Sequence, residues 1–401
     1  MRIAVVNWSS RRVGGVEYYL SGVIPALTNS GHATALCYET DRPSNRALIV
    51  SEETATWGVE ALGAEEVIRR LSRWSPDLLY CHGVMNPGLE SRLLDVAPAV
   101  SFAHGYSGTC ISGAKTWQLP VTRPCSRRFG WPCLLHFYPH RCGGLSPVTM
   151  VREYRRQAKR LELLRRYRAI VTHSHHMRNE YLKHGFPPER VHRITHGIVG
   201  QPLESRPTAT PFSETACRLL FIGRMERLKG GQLLLDALPR LRRRLRRPVH
   251  VTFVGDGTDR DRWQLRAVRL TLQDPGLSVT FVGWVERPDL AATLRQTDLL
   301  VLPSVWPEPF GQVGPEVGLQ GIPVAAFATG GIPDWLEDGV NGCLAPGDPP
   351  TPSGLADAVV RCLRDPAVHA RLREGALELA IRYRMQVHVA QLLTVFAGIH
   401  E

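Results

Sequence analysis

Short apolar runs alternate with segments of helical period along most of the chain. The runs are continuous, which is typical of parallel strands that are buried on both faces of a sheet. In the first half they predict strands at 3–7, 33–38, 77–81, 99–103 and 169–172, with helices at 16–29, 62–73 and 151–168. In the second half they predict strands at 218–223, 249–254, 277–282, 298–302 and 323–327. The pattern therefore predicts two successive α/β sheets.

Residues 199–216 interrupt this alternation, because they are rich in Pro, Ser and Thr and have no period. We interpret them as the start of a second domain and its linker. The predicted domains are 1–198, 199–384 and a C-terminal helix at 385–401 that packs back on the first domain. Residues 104–144 fit neither period and form an irregular insertion. In open α/β sheets ligands bind beyond the carboxyl ends of the strands, and between two lobes the expected site is the cleft.

Composition narrows the class of protein. Hydrophobic residues make up 43% and charged residues 21%, as in globular proteins. The sequence contains no run of about 18 apolar residues, the length that a membrane-spanning helix needs. The first residues also lack the apolar segment of a secretory signal peptide. We therefore expect a cytoplasmic protein. The net charge of +12 suits an anionic partner such as a nucleotide diphosphate, a phospholipid surface or a nucleic acid, although a plain bias towards Arg explains it equally well.

Two segments place glycines or cations where a phosphate could bind. Gly14 and Gly15 follow the first strand and open a helix, so backbone N–H groups at the positive end of the helix dipole are accessible. Glycines also occur in such turns for purely steric reasons, without any bound phosphate. Arg224 and Lys229 follow the strand at 218–223 and could clamp a diphosphate through charge-assisted hydrogen bonds. The alternative interpretation is that both side chains are simply solvated at the surface and bind no ligand.

The most informative segment is 303–324, PSVWPEPFGQVGPEVGLQGIPV. Glu308 lies in the loop after a strand, and Glu316 follows after seven intervening residues, in the first turns of a helix. A carboxylate in the loop can accept hydrogen bonds from sugar hydroxyls, and one on the helix can accept both hydroxyls of a ribose. Acids are also favoured at helix starts by the dipole. The preference for acids at helix starts, however, does not account for the flanking Pro, Phe and Gly residues.

This segment resembles the E-x7-E signature of the retaining GT-B glycosyltransferases of family GT4, the glycosyl transferases group 1. The loop G-R-x4-K-G, the N-terminal GGVE, the strand VTFVGW and the sequence ATGGIPD resemble the same family. The resemblance covers most of the chain in order. It implies a GT-B fold, in which two Rossmann-like, doubly wound parallel-sheet domains face each other across a cleft. The first would bind the acceptor and the second the nucleotide-sugar donor.

The resemblance also assigns roles to residues. Arg224 and Lys229 would bind the donor diphosphate, Glu308 the donor sugar and Glu316 the ribose. His104 would face the donor sugar and the acceptor, and Gly105 follows it where the family often has Asp. Gly14 and Gly15 would contact a phosphate of the donor, and Gly283 and Trp284 would contact its base. The helix start would supply further donor contacts, from Phe310, Gly311, Gln312 and Val313.

The reaction implied by the resemblance is transfer of a sugar from a nucleoside-diphosphate sugar to an acceptor hydroxyl with retention. The nucleotide sugar is a co-substrate and no cofactor is required. The acceptor could be a glycan, a lipid-linked sugar or a small molecule. Alternatives are an epimerase or phosphorylase with the same two-domain fold, and a non-catalytic binder of nucleotide sugars. No motif supports a nucleic-acid partner.

Two segments outside this site carry open hypotheses. The insertion contains Cys110, Cys125, Cys133 and Cys142 with two histidines, which fits either reduced thiols or a structural zinc site, although no C-x2-C pair occurs. Residues 151–170 predict a basic amphipathic helix. It is either a solvated surface helix or a contact for anionic lipid, which would place the protein peripherally on the inner face of the cell membrane.

Overall fold

The computed structural model describes residues 1–42, 45–199, 215–286 and 289–399. Within these residues the chain forms two compact units. The first unit comprises Met1–Ala114, Ser126–Val199 and Tyr383–Glu401, and the second comprises Lys115–Cys125 and Gly200–Arg382. The predicted linker lies for the most part outside the described residues.

The predicted strands and helices occur in the predicted order, and further strands and helices lie between them. The strands are β1 (Arg2–Ser9), β2 (Ala33–Thr40), β3 (Ala55–Gly58), β4 (Leu78–Cys81), β5 (Ala99–Phe102), β6 (Thr116–Trp117), β7 (Arg123–Pro124), β8 (Ala169–Thr172), β9 (Val191–Arg193), β10 (Cys217–Ile222), β11 (Val249–Val254), β12 (Leu277–Gly283), β13 (Leu299–Leu302), β14 (Val324–Phe327) and β15 (Gly342–Ala345). The helices are α1 (Gly15–Asn29), α2 (Val59–Leu62), α3 (Ala64–Trp74), α4 (Pro87–Leu93), α5 (Pro132–His136), α6 (Pro147–Leu164), α7 (His175–Lys183), α8 (Gly231–Leu245), α9 (Arg260–Gln273), α10 (Leu290–Arg295), α11 (Val313–Gly318), α12 (Pro352–Leu363), α13 (Pro366–Ile381) and α14 (Met385–Ala397).

The first unit is built on a parallel sheet of seven strands in the order β3-β2-β1-β4-β5-β8-β9. Strand β1 lies inside this sheet, and its residues Ile3, Ala4 and Val5 are completely buried. Helix α1 turns Leu20, Val23 and Leu27 towards the core at helical spacing. Helix α14, from the end of the chain, adds Leu392 and Phe396 to the same core. The far end of the chain therefore stabilises the N-terminal sheet.

The second unit is built on a parallel sheet of six strands in the order β12-β11-β10-β13-β14-β15. Its core contains the apolar strand residues together with the buried faces of α8, α9 and α12. Helix α8, for example, buries Leu234, Leu238 and Leu241. Both sheets are doubly wound parallel sheets of the Rossmann type, as predicted. Among the helices of the described residues, none is both long and apolar enough to cross a bilayer.

The predicted boundaries differ from the observed units at three places. The units divide at Val199 and Gly200 and at Arg382 and Tyr383, within two residues of the predicted limits. Residues 115–125, predicted as part of the insertion in the first domain, belong to the second unit. They form the antiparallel pair β6–β7, and Arg227 donates hydrogen bonds to Gln118 (3.1 Å) and Thr122 (3.4 Å). These contacts are long-range, and no local pattern predicts them.

The predicted basic helix at 151–168 is also shifted. Helix α6 begins at Pro147, where the side chain of Ser146 accepts a hydrogen bond from the N–H of Thr149, and it ends at Leu164. Proline is well suited to the first turn of a helix because its missing N–H would be unpaired there. The start of the helix was therefore readable from Ser146-Pro147.

Candidate functional site

The predicted donor residues of the second unit follow neighbouring parallel strands. Strands β12, β11, β10 and β13 lie side by side, so the loops after their carboxyl ends emerge at one edge of the sheet. Arg224 and Lys229 follow β10, Trp284 follows β12, and Glu308 follows β13. The topology thus brings to one edge residues that are up to 84 positions apart in the chain.

Lys229 and Glu308 form a largely buried ion pair at this edge. The Nζ atom of Lys229 lies 2.6 Å from Oε1 of Glu308, and the side chains are only 19% and 7% exposed. The hydroxyl of Ser304 donates to the same oxygen at 2.7 Å. The ammonium group of Lys229 also lies 4.9 Å from the centroid of the Trp306 ring. The charges of this pair are therefore held in fixed positions.

Close backbone packing fixes the loops that carry the pair. Gly230 has a φ of +72°, and a Cβ atom there would lie 1.7 Å from the carbonyl oxygen of Pro303. Gly330 has a φ of +58°, and its Cβ would lie 2.2 Å from the carbonyl oxygen of Glu308. The same oxygen accepts a hydrogen bond from the N–H of Gly331 at 2.7 Å. Only glycine fits both positions, because each combines a left-handed backbone with a neighbouring carbonyl.

The segment after Glu308 leads into the short helix α11. Gln312 donates to Oε1 of Glu316 at 2.6 Å, which orients this carboxylate. The ring of Phe310 is buried, and its carbonyl accepts a hydrogen bond from Nε1 of Trp335 at 2.6 Å. Gly314 is closely covered by the same tryptophan. The buried side chain of Phe310 therefore anchors the loop in the protein interior. Gln312 and Glu316, by contrast, are partly exposed and accessible to a ligand.

Arg224 and Trp284 present exposed side chains at the same edge, each beside an acid. A guanidinium nitrogen of Arg224 lies 2.9 Å from Glu226, and Nε1 of Trp284 donates to Glu286 at 3.1 Å. Gly283 has a φ of +76°, and its carbonyl accepts a hydrogen bond from Gly255 at 2.7 Å. An exposed cation and an exposed ring are therefore available to an anionic and a planar group, respectively.

In the first unit, histidines follow the carboxyl ends of neighbouring strands. His82 follows β4, His104 follows β5 and His173 follows β8. With His196 and His388 they form a histidine cluster, in which successive ring centroids lie 4.9 to 6.3 Å apart. His104 is the half-buried member, and the other four are buried. The predicted acceptor residue thus belongs to a larger group of imidazoles.

Hydrogen bonds define the proton positions on one side of this cluster. Nδ1 of His388 lies 2.6 Å from the carbonyl oxygen of Thr195, which can only accept, so Nδ1 carries the proton. In the neutral ring Nε2 then accepts from the hydroxyl of Tyr19 at 2.6 Å, and Tyr19 accepts from Tyr80 at 2.8 Å. On the other side, Nδ1 of His82 lies 2.8 Å from Nε2 of His104.

Burial favours the neutral form of four members of the cluster, His82, His104, His173 and His388. It lowers the pKa of His82, His104 and His173 well below the usual histidine value, and the neighbouring histidines lower the pKa of His104 further. Burial lowers the pKa of His388 to about 4, although the hydrogen bond to Thr195 opposes that shift. The described residues of the first unit therefore hold a set of uncharged imidazoles that can donate and accept hydrogen bonds.

Gly14 and Gly15 are exposed at the start of α1 in the first unit. Glu17, in the first turn of the same helix, is buried and accepts hydrogen bonds from Trp8 (2.8 Å) and Asn7 (3.3 Å). Burial raises the pKa of its carboxyl group. The N-terminus of α1 is therefore open to solvent at its glycines, as a phosphate contact requires.

Sequence reasoning missed several members of these groups. Ser304, which contacts Glu308, and His82, His173 and His388 had no motif to mark them. A weak signal existed, because His82, His104 and His173 each directly follow an apolar run that becomes a central strand. That pattern predicts their position at the edge of the sheet but not their contacts.

The described residues show no grouping that supports the zinc interpretation of the insertion. Cys125 belongs to the second unit, whereas Cys110, Cys133 and Cys142 belong to the first. Cys133 and Cys142 pack beside an apolar cluster that contains Phe137. Throughout the described ranges, no three His, Cys, Asp or Glu side chains are grouped so that they could hold a metal ion.

Comparison with known proteins identifies the relatives of this chain. The family model described as Glycosyl transferases group 1 matches residues 216–365, and the model described as Glycosyltransferase Family 4 matches residues 13–199. Glycogen synthase of Mycobacterium tuberculosis is 28% identical over 94% of this chain and 89% of its own length. D-inositol 3-phosphate glycosyltransferase 1 of Catenulispora acidiphila is 32% identical over 53% of each chain.

Solved structures resemble the whole chain. Anabaena HepE in complex with UDP and glucose has a TM-score of 0.68 at 19% identity, covering 99% of this chain and 100% of that one. WaaG, a glycosyltransferase involved in lipopolysaccharide biosynthesis, has a TM-score of 0.69 at 18% identity, with the same coverage. At these identities the likeness concerns the fold.

Proposed function

We propose that this chain, which belongs to the GT4 family of glycosyltransferases with the GT-B fold, transfers a sugar from a nucleotide-sugar donor to an acceptor hydroxyl with retention of the anomeric configuration. The observation that carries the proposal is the buried pair of Lys229 and Glu308 at the carboxyl edge of the second sheet. Retention, the residue roles and the acceptor are parts of this proposal.

Lys229 is proposed to stabilise the leaving diphosphate. Its ammonium group is held by Glu308 and Trp306, so little reorganisation is needed when negative charge develops. Arg224 supplies a second, more exposed cation that can move from Glu226 to a phosphate oxygen. The two cations would offset the charge that collects on the diphosphate as the bond to the sugar breaks.

Glu308 is proposed to hold the donor sugar. Its Oε1 atom accepts from Lys229 and Ser304, and no hydrogen bond within the described residues reaches Oε2. A sugar hydroxyl could donate to Oε2 without disturbing the ion pair. Glu316, oriented by Gln312, would accept the ribose hydroxyls, while Gly283 and Trp284 would contact the base.

The proposed reaction needs no protein nucleophile. The acceptor hydroxyl attacks the anomeric carbon from the side of the departing diphosphate, so the new bond replaces the old one on the same face. The bond between the anomeric carbon and the phosphate oxygen breaks, and a phosphate oxygen takes the proton of the acceptor. On the first unit, Gly14 and Gly15 are proposed to contact a phosphate and His104 the acceptor. We expect the acceptor to be a glycan, a lipid-linked sugar or a small molecule.

A binding panel tests the donor site. UDP and UDP-glucose are the first probes, because HepE was solved with UDP and glucose, followed by the other nucleoside diphosphates. Ligand at a hundred times its dissociation constant should raise the free energy of unfolding by about 2.7 kcal/mol. Lys229→Met and Glu316→Ala should weaken binding about 10- to 100-fold, as expected for a lost charge-assisted hydrogen bond.

Arg240→Met is the matched control, since Arg240 makes an exposed ion pair with Asp357 in the same unit. It should bind like the unchanged protein. If no nucleotide binds, or if Lys229→Met binds as well as the control, the donor site is misplaced. With an acceptor in hand, the anomeric coupling constant of the product by NMR decides retention, and an inverted product would contradict it.

A further inference from the structure

The segment from α5 to the start of α6 exposes four large apolar side chains. Trp131, Leu135, Leu145 and Val148 are 66%, 63%, 67% and 75% exposed. Trp131 and Leu135 are four residues apart at α5 and so share a face. With Tyr138 we call these residues the hairpin surface, because α5 and α6 pack on each other. Exposed apolar clusters of this kind mark interaction sites.

The hairpin surface is additional to the local core. Phe129 and Phe137 are buried between α5 and α6, and α6 turns Met150, Tyr154 and Leu161 towards them at helical spacing. The segment therefore has its own apolar cluster on the inner side and a second apolar set on the outer side. The outer residues are not needed to hold the two helices together.

Positive charge is concentrated in the same part of the chain. Between Arg127 and Arg168 there are eleven Arg and Lys residues against two Glu residues, a net charge of +9 out of +12 for the whole chain. On α6, Val148, Arg152, Arg155 and Lys159 are all exposed and lie at the spacing of one helix face. An apolar tip is thus followed by basic side chains on one surface.

Only part of this charge is neutralised within the protein. Arg160 is buried and lies 3.7 Å from Glu90, and Arg166 pairs with Asp95 at 2.6 Å. By contrast, the side chains of Arg141 and Arg155 are exposed and make no ion pair or hydrogen bond with the described residues. The positive charges that remain unpaired therefore lie near the exposed apolar side chains in the sequence, and on α6 they lie on the same helix as Val148.

We propose that the hairpin surface docks on a lipid bilayer that contains anionic lipids. Trp131, Leu135, Leu145 and Val148 would enter the region between headgroups and acyl chains, where Trp and Tyr side chains are favoured. Arg152, Arg155 and Lys159 would contact the anionic headgroups. The sequence suggested lipid contact at 151–170, and the structure moves its centre to the segment from Trp131 to Lys159.

A second exposed apolar stripe shows why charge decides the assignment. Helix α9 of the second unit exposes Leu265, Val268 and Leu272. Residues 259–274, however, contain four Arg and three Asp, a net charge of only +1. An anionic bilayer therefore favours the hairpin surface over α9, and α9 provides a matched control.

Co-sedimentation with vesicles tests the proposal. The full chain should pellet with vesicles of phosphatidylcholine and phosphatidylglycerol at 7:3, to a much smaller extent with pure phosphatidylcholine, and less at high salt. Arg152→Glu with Arg155→Glu should lower the affinity at least about tenfold, because each basic residue near an anionic surface contributes about a fivefold gain. Trp131→Ser with Leu135→Ser should also lower it about tenfold or more, through lost apolar burial.

Leu265→Ser with Leu272→Ser is the control and should bind vesicles like the unchanged protein. Circular dichroism checks that each variant is folded. As a second readout, brominated acyl chains should quench tryptophan emission in the unchanged protein, and this quenching should be reduced in Trp131→Phe. The experiment contains no donor or acceptor, so its outcome is independent of the proposed sugar transfer.

Four outcomes would overturn the proposal. They are no binding to anionic vesicles, equal binding to neutral and anionic vesicles, loss of binding in the α9 variant rather than in the hairpin variants, and a dimer in gel filtration that Leu135→Ser dissociates. The last would identify a second copy of the chain as the partner of this surface.

Discussion

His388 shows how a single side chain connects distant parts of the first unit. Its ring accepts a hydrogen bond from Tyr19 of α1 and donates one to Thr195 after β9, while its own backbone belongs to α14. Because the ring is completely buried, its charged form is disfavoured, although the bond to Thr195 opposes this effect. The same burial that holds α14 in place therefore makes the first unit sensitive to acid.

We expect the first unit to lose stability as the pH falls from about 6.5 towards 4. The folded pKa of His388 is about 4, below the ordinary value, so at intermediate pH the unfolded chain binds more protons than the folded one. The contribution is fully present above about pH 6.5 and amounts at most to about 3 kcal/mol for this ring. Urea unfolding at several pH values measures it.

His388→Gln should reduce the slope of unfolding free energy against pH in this window by the amount that corresponds to about one bound proton. The reason is that the amide can keep both hydrogen bonds without titrating. The slope is the informative quantity, since the substitution also lowers stability at every pH. His82, His104 and His173 will maintain part of the dependence. His250→Gln, on the exposed side of β11, should leave the slope unchanged. An unchanged slope in His388→Gln would mean that this ring titrates normally.

The start of α8 illustrates how loops and helices are locked together in the second unit. Gly230 caps this helix in the left-handed conformation, directly after Lys229 and against the backbone of Pro303. Gly339 has a similar φ of +79°, but nothing lies within 4 Å of the Cβ position. The two glycines therefore separate the cost of backbone strain from the cost of steric overlap.

We predict that Gly339→Ala costs about 1–2 kcal/mol of unfolding free energy, the strain of a left-handed alanine. Gly230→Ala should cost about 1–3 kcal/mol more, because the new methyl group displaces the loop of Pro303. It should also abolish nucleotide binding by moving Lys229, whereas Gly339→Ala should bind normally. Urea unfolding measures the stability effect, and the nucleotide-binding panel measures the binding effect. Equal costs at the two sites would show that the loop adapts to the methyl group.

Within the described residues, the main apolar core of the first unit and that of the second unit share no residue. One comprises residues around β1, α1 and α14, and the other residues around β10, α8 and α12. Chains with separate cores commonly unfold in more than one step. The proposed donor residues Lys229, Glu308 and Glu316 all belong to the second unit, so a nucleotide should stabilise that unit first.

Calorimetry with a bound nucleotide tests this division. We expect two transitions, of which the nucleotide raises the one from the second unit by about 2–4 °C for each kcal/mol of binding free energy. Phe396→Ala should lower only the other, at a cost of about 3–5 kcal/mol, because Phe396 is completely buried against Tyr80. Val387→Ala, exposed on the same helix, is the control. One transition that responds to both changes would show that the units unfold together.

The sequence predicted the central strands of both sheets and the edge strand β12, but not the edge strands β3, β9 and β15. Strands β1, β4, β10 and β13 are buried on both faces, so their apolar runs are continuous and easy to recognise. Strands β3, β9 and β15 have only four, three and four residues, and these include Thr, His, Arg or Gly, which interrupt or shorten an apolar run. The proposed donor residues Lys229, Glu308 and Glu316 were recognisable for a similar reason, because each belongs to a compact motif in one stretch of chain.

By itself, the sequence determined the order of strands and helices and the identity of the chemical groups in the motifs, since both depend on neighbouring residues and on the periods of the backbone. Only the tertiary structure decided which groups meet. It paired Lys229 with Glu308 across 79 positions, gathered five histidines at one edge, and assigned residues 115–125 to the second unit. It also left Trp131 and Leu135 outside the local core. These results depend on contacts between distant segments, and such contacts are set by the packing of the whole chain rather than by any local pattern.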